Sequence, residues 1–233
     1  HHNLWVDNNG RNPRLGDNYG RPPFPVFDLR NNVMYNWGHT CSGLTGDELS
    51  ANYVANYLRP GPSSSKNAPI ALASTARVKY FVQGNVVEGR PQYATNAAAM
   101  FAPAESEGRK LFTLMNQPFE APLVKTTSAE EAYRAVLAHV GAVAPARDAV
   151  DERIIQQVKT GTGRIIDSQK DVGGWPQYRP TEAPKDSDRD GIPDAWETAH
   201  GFNPNDPTDA QKTGPDGYPN LEKYLNSLIP PAP

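Results

Sequence analysis

The chain has 233 residues, 37% of them apolar, and carries 23 basic against 26 acidic side chains for a formal net charge of −3. This composition supports a sizeable core with a small appendage and argues against disorder throughout, while the near balance of charge gives no field for wrapping a nucleic-acid backbone. No stretch reaches the apolar length that spans a bilayer, residues 1–15 lack the order of a signal peptide, and the lone Cys41 permits no internal disulfide and suits a buried, reduced thiol.

Four short β-prone runs each follow an asparagine: Asn3-Leu4-Trp5-Val6, Asn32-Val33-Met34-Tyr35, Asn56-Tyr57-Leu58 and Asn85-Val86-Val87. Their intervals of 29, 24 and 29 residues suit one coil of a solenoid, and turn formers follow at Gly10, Gly38, Pro60 and Gly89. Asparagines recurring at one turn of a parallel β-helix can stack their amides and satisfy inward-facing backbone groups. A β-sandwich with unequal loops is the alternative that spacing alone leaves open. Residues 60–69 read as a loop between coils, because their prolines withhold donors and the residues between them favour turns. Strand character resumes over 80–89, and the alanine-rich run 95–101 suits either a loop or a short helix.

Ser128 with Glu131 three residues later makes a capping-box pattern, and Ala132, Val136 and Val140 mark one face of the helix that follows. A second helix is expected from about Asp148 to Thr160, packing through Ile154, Ile155 and Val158 and stopping at Gly161. The simplest place for the pair is an edge or end of the preceding sheet, shielding its strand hydrogen-bonding groups. Arg164-Ile165-Ile166-Asp167 is expected as a final strand, and Gly173-Gly174-Trp175-Pro176 as the turn away from the main body. A linker at Pro180-Thr181-Glu182-Ala183-Pro184 divides the chain into residues 1–179 and a tail, 180–233, that ends in an amphipathic helix carrying Leu221, Tyr224, Leu225 and Leu228.

Within the tail, Asp186, Asp188, Asp190, Gly191, Asp194 and Glu197 have the spacing of an EF-hand-like calcium loop. Alternating carboxylates can turn toward one ion, Gly191 permits the bend, Ile192 offers its carbonyl, Asp194 acts directly or through water, and Glu197 closes the site. Pro180 and Pro184 preclude an ordinary leading helix, and a solvated acidic linker is the competing explanation. With few apolar residues available, Ca2+ is expected to order the tail. Together with residues 201–209, the loop resembles calcium-binding repeats of extracellular bacterial enzymes and of thrombospondin type 3-like modules.

Arg11 and Arg14 flank Pro13, which disfavours helix at Asn12. On a β-helix groove, one guanidinium can serve in proton transfer while the other grips a carboxylate of an acidic polysaccharide through paired hydrogen bonds. Arg-x-Pro-Arg alone also fits two solvent-facing arginines of a surface loop. His1 and His2 make no shared metal site, since adjacent strand residues face opposite ways, and His39, His139 and His200 add no ligand spacing.

The wider pattern is more specific. His1-His2-Asn3, then Arg11-Asn12-Pro13-Arg14, then Phe27-Asp28-Leu29-Arg30-Asn31-Asn32-Val33-Met34-Tyr35-Asn36 resembles the histidine-asparagine, arginine-proline and asparagine-rich coils of polysaccharide lyase family one. Residues 148–176 are similar to the C-terminal cover of its bacterial members. The resemblance implies an all-β fold: the C-terminal part of a right-handed parallel β-helix, with covering helices and the small calcium-binding tail. It also implies calcium-dependent β-elimination of pectate or another polygalacturonan, in which a base removes the C5 proton and the C4 glycosidic bond breaks to leave a C4–C5 double bond. Carried over residue by residue, Arg11 is the Brønsted base and Arg14 the substrate-binding candidate. An arginine base is chemically demanding, because a guanidinium ordinarily holds its proton to above about pH 12, so cationic neighbours and desolvation must lower that affinity.

The pattern also departs from the family. Its acidic calcium ligands and a substrate-binding lysine lie on coils before the histidine-asparagine segment, so missing N-terminal coils or an upstream chain are expected. Gly16 stands where a further substrate-binding arginine often follows. The implied partner is an acidic plant or algal polysaccharide, pectate foremost, and the implied setting is secreted or at the cell surface. The competing expectation is a noncatalytic acidic-carbohydrate-binding or cell-surface module.

Overall fold

The computed structural model describes residues 1–16, 21–45, 48–65, 71–73, 77–102, 112–144, 146–178 and 181–229. These form two compact units, one of His1–Gly141 with Ala149–Trp175 and one of Ala142–Asp148 with Pro176–Pro233. The expected boundary at 179/180 falls outside the described residues. Among the described residues no helix is long and apolar enough to cross a membrane.

In the first unit the strands are β1 (Leu4–Val6), β2 (Arg14–Gly16), β3 (Val26–Arg30), β4 (Val33–Tyr35), β5 (Ser42–Thr45), β6 (Glu48–Val54), β7 (Tyr57–Arg59), β8 (Ala71–Ala73), β9 (Arg77–Gln83), β10 (Val86–Val87), β11 (Phe101–Ala102) and β12 (Phe112–Leu114). They fall in rotation into three four-stranded sheets, of β1, β4, β7 and β10, of β2, β5, β8 and β11, and of β3, β6, β9 and β12. Every pair within these sheets is parallel. The result is a β-helix-like architecture with covering helices, and the sandwich alternative falls away with the parallel pairing.

Register stacks like residues in the interior. Trp5, Met34, Leu58 and Val87 line up through the first sheet, and Leu29, Tyr53 and Val82 through the third. All belong to one core cluster or, as partly buried Trp5 and Val82 do, pack against it; the cluster also buries Cys41, whose thiol is pushed up from its ordinary pKa by that burial. The opposite face of the first sheet is apolar as well, since Leu4, Val6 and Tyr35 pack against Tyr133 and Leu137 of α1 (Ala129–His139) and Val158 of α2 (Ala149–Thr160). The helices therefore cover a sheet face, where the sequence pointed to an edge or end. Ser128 caps α1 with the expected reciprocal bonds to Glu131.

The turns that enter the first sheet share one design. His2, Asn31, Ala55 and Gly84 take left-handed backbone angles of φ 56, 54, 50 and 66°, and each is followed by an asparagine of the repeat. The Asn32 side-chain oxygen accepts from both the backbone N–H and the side-chain amide of Asn3, at 3.1 and 2.9 Å. Asn56 does the same for Asn32, and Asn85 for Asn56, all at 2.9–3.0 Å. The amides of Asn56 and Asn85 then donate to the carbonyls of Leu29 and Tyr53.

Two local expectations change. Residues 95–101 carry a 3-10 turn at Ala97–Met100 that leads into β11. Residues 164–167 form no strand, because this segment meets side chains on the outer surface and no free strand edge: Tyr35 Oη donates to the Thr162 carbonyl and the Ile165 N–H donates to Ser63 Oγ. The segment before α1 is held to the third sheet by asparagines, as Asn52 exchanges two bonds with the backbone of Phe119 and Asn31 two with that of Thr127.

The second unit contains α3 (Asp194–His200) and α4 (Asn220–Ser227). Among its described residues the buried apolar ones are Ile192 and Ala210, beside buried Glu197, Asp209 and Asn220.

Replacing Asn56 by alanine leaves the Asn32 N–H, the Asn32 side-chain amide and the Leu29 carbonyl without their buried partner, while the Asn85 oxygen keeps only the Asn56 backbone N–H. The expected loss is about 3 kcal/mol, read as a lower urea midpoint at unchanged slope, and a loss below about 0.5 kcal/mol contradicts the ladder's role.

Candidate functional site

Residues 7–13 connect β1 to β2 and are pinned to the next coil by their backbone. Asp7 N donates to the Tyr35 carbonyl, Asn12 N to the Cys41 carbonyl, Gly38 N to the Asn8 carbonyl and His39 N to the Asn9 carbonyl. The stacking is close enough that a Cβ on Gly38 would meet Asn9 Oδ1 and lie 3.1 Å from Asn9 Cα, so a side chain there would have to push the Asn9 side chain aside. Asn12 is buried, takes a bond from Asn8 Nδ2, and its carbonyl accepts from Ser42 Oγ.

Arg11 sits on this pinned loop in a left-handed conformation, φ 65°, which costs a non-glycine residue roughly 1–2 kcal/mol and is the kind of strain found at functional positions. Along β2, Leu15 points into the core while Arg14 and Gly16 take the outward positions. Arg14 pairs with Gly43 on β5, and the Arg11 stem passes over the same glycine, its Cγ 3.5 Å from where a Cβ would be. Both arginines are exposed on the outer side of the second sheet. Gly16, also outward, places no third cation on this strand.

In the second unit, Asp186, Asp188 and Asp190 bring carboxylate oxygens within 4.8 Å of one another, and so do Asp190, Glu197 and Asp209. Asp190 belongs to both groups, so the residues form one acidic cluster able to coordinate a divalent cation. Backbone N–H groups shape the loop: Asp186 accepts from Arg189 at 2.7 Å and Gly191 at 3.1 Å, and Asp190 accepts from Ile192 at 2.8 Å. Gly191 has φ 97°, which a side chain would strain. Both oxygens of Asp188 and of Glu197, Asp190 Oδ2 and Asp209 Oδ1 are buried without a hydrogen-bond partner. Uncompensated buried carboxylates are costly, and an oxygen-seeking hard cation resolves that cost. Burial, followed by the charges of Asp188, Asp190, Asp209 and Asp194, pushes the Glu197 carboxyl up to about 7.

Asp194 departs from the expected set. Its carboxylate accepts from Lys185 Nζ, Ser187 N and Ser187 Oγ at 2.7–2.8 Å, and these donors hold its pKa down at about 2. Asp209, which the loop spacing does not include, stands in the cluster with Asp190 and Glu197. Ile192 is fully buried beside the loop. His1 and His2 contact each other through their rings and join no group able to hold a metal among the described residues.

Comparison with known proteins gives a consistent set of relatives. A probable pectate lyase C of Aspergillus terreus (strain NIH 2624 / FGSC A1156) is 34% identical over 237 residues, covering 98% of this chain and 52% of that protein. The relationship is pectate-lyase-like. Proteins of the same name from Aspergillus fumigatus (strain ATCC MYA-4609 / CBS 101355 / FGSC A1100 / Af293) and Emericella nidulans are 32% and 31% identical, again covering 98% of the chain and 52% of each relative. The chain thus spans about half the length of the curated relatives it matches. These relatives are fungal, whereas the sequence motifs pointed to bacterial enzymes. No family model matches the chain.

The acidic cluster predicts a pH dependence in chelator. The folded Glu197 value lies above its ordinary 4.5, so stability from the protonated group is full below 4.5 and is lost as pH rises through about 7. Hydrogen exchange over residues 186–209, corrected for intrinsic rates, is expected to show more frequent opening near pH 7.5 than near pH 5. Less frequent opening at the higher pH contradicts the buried-acid account.

Proposed function

We propose that the first unit is part of a right-handed parallel β-helix that cleaves pectate or a related polygalacturonan by β-elimination. The observation that carries this reading is the emergence of Arg11 and Arg14 together on the outer side of the second sheet, over Gly43. The pectate-lyase-like relationship supports the same chemistry. Arg14 grips a uronate carboxylate and orients the sugar. Arg11 is exposed, so the polymer itself must cover it and desolvate the guanidinium before it can act as a base. In its neutral form Arg11 takes the C5 proton, the C5–H electron pair becomes the C4–C5 double bond, and the C4–O bond breaks. The leaving oxygen takes its proton from solvent.

Calcium bound between uronate carboxylates would neutralise charge and acidify C5. Among the described residues the acidic clusters that could hold an ion lie at 186–209, and none lies beside Arg11. No step above therefore runs through that ion. The tail, 180–233, binds a separate structural Ca2+ through Asp186, Asp188, Asp190, Glu197 and the Ile192 carbonyl, with Asp194 at most in an outer position. Modules of this kind with modest affinity suit the calcium-rich extracellular space, and we place the protein there, acting on an acidic plant or algal polysaccharide.

A noncatalytic acidic-glycan-binding role is the second reading. It is favoured by Gly16, which leaves the second outward position of β2 without a cation.

In protein made from the complete coding sequence, Arg11→Ala is expected to lower kcat for unsaturated uronate, followed by ultraviolet absorbance, by about 10³-fold with KM little changed. Arg14→Ala is expected chiefly to raise KM, about tenfold. Undiminished turnover in Arg11→Ala removes its assignment as base, and glycan binding without any elimination by the unaltered protein supports the second reading.

A further inference from the structure

We infer that Asp209, far outside the 186–197 loop, is a direct ligand of the tail's calcium ion, that Asp194 is not, and that the ion thereby clamps α4 to the loop; this rests on calcium binding by the tail. Asp209 is 4% exposed and Glu197 0%, and both aim unpartnered oxygens at a common point with Asp190. One oxygen of Asp209 is committed, accepting from Asn203 N at 3.1 Å, which fixes the rotamer and leaves Oδ1 for the ion. Both oxygens of Asp194 already accept hydrogen bonds from Lys185 and Ser187. Withdrawing Asp194 from them to reach the ion would leave a lysine ammonium without its partner.

The backbone around Asp209 carries the consequence to α4. Its carbonyl accepts from Asn220 Nδ2 at 2.8 Å, the Ala210 carbonyl accepts from Leu221 N, and the Lys212 carbonyl accepts from Asn220 N. The start of α4 therefore hangs on the residues that follow Asp209. Its far end meets α3 through the Trp196 Nε1 bond to Ser227 Oγ. With Ile192 and Ala210 as the buried apolar residues described in this unit, an ion holding Glu197 and Asp209 does the joining that a hydrophobic core does elsewhere. Carboxylates from two segments also meet the requirement of calcium for six to eight oxygens better than a short loop alone.

The test titrates the full chain with calcium chloride by calorimetry, comparing it with Asp209→Asn and Asp194→Asn. Asp209→Asn is expected to weaken affinity by at least about tenfold and to abolish calcium-dependent protection of residues 210–227 from hydrogen exchange, while Asp194→Asn stays within about threefold. Terbium(III) luminescence lifetimes in light and heavy water give a second readout that a merely structural role does not move: Asp209→Asn admits an additional water to the bound ion. Unchanged affinity and hydration in Asp209→Asn, with the loss falling on Asp194→Asn, overturns the assignment while leaving the calcium loop standing. Absence of calcium and terbium binding by the unaltered chain overturns the loop and the clamp together.

Discussion

An amide oxygen at each turn into the first sheet, accepting two hydrogen bonds from the asparagine of the preceding coil, is the contact that sets the spacing of everything in the first unit. Asn32, Asn56 and Asn85 each fill this role, and each is buried. A one-residue slip in any coil would break the ladder and also exchange inward for outward side chains. The ladder thus fixes which residues face the interior, and through β1 and β4 it fixes how the loop 7–13 lies on the loop of the following coil. Arg11 tolerates its left-handed backbone because that loop is held by bonds on both sides. The geometry of the arginine pair is in this sense a consequence of asparagines on the other side of the coil.

The second unit is held by a different principle. Only Ile192 and Ala210 are buried apolar residues among those described there, and its unmet demand is for positive charge at Asp188, Asp190, Glu197 and Asp209. Lysines pair with three acids outside that set: Lys185 with Asp194, Lys212 with Asp206 and Lys223 with Asp216. The division is informative, because the acids given lysine partners lie toward solvent, whereas Glu197 and Asp209 are enclosed where an ammonium on a long stem does not reach.

Much of this is legible in the sequence, for identifiable reasons. The asparagine repeat shows because the first sheet is apolar on both faces, the interior on one and α1 and α2 on the other, so its strands read as unbroken runs such as Leu4-Trp5-Val6 and Val33-Met34-Tyr35. The second sheet has no such signature: in Arg14-Leu15-Gly16 a single residue faces inward. The third alternates along Arg77-Val78-Lys79-Tyr80, but nothing local distinguishes that pattern from a hairpin strand. Spacing in the acidic loop identifies Asp186, Asp188, Asp190 and Glu197, yet it cannot reveal that Lys185 and Ser187 compete for Asp194. Nor can it reveal Asp209, which a helix and a turn bring back to the loop. The direct signal for Asp209 is a second aspartate-bearing turn after Gly201, meaningful only once its path in space is known.

The central claim is that these coils break a uronan chain by elimination, and oxygen-18 water decides it most directly. Polygalacturonate is incubated with protein made from the complete coding sequence in labelled water, and the products are weighed by mass spectrometry. Elimination through Arg11 forms no bond between the sugar and water oxygen, so the new non-reducing ends are expected to be unsaturated, lighter by one water, and the cleaved bond to contribute no label beyond slow exchange at reducing ends. Saturated products carrying oxygen-18 at each cut, or glycan bound but uncut, would contradict it.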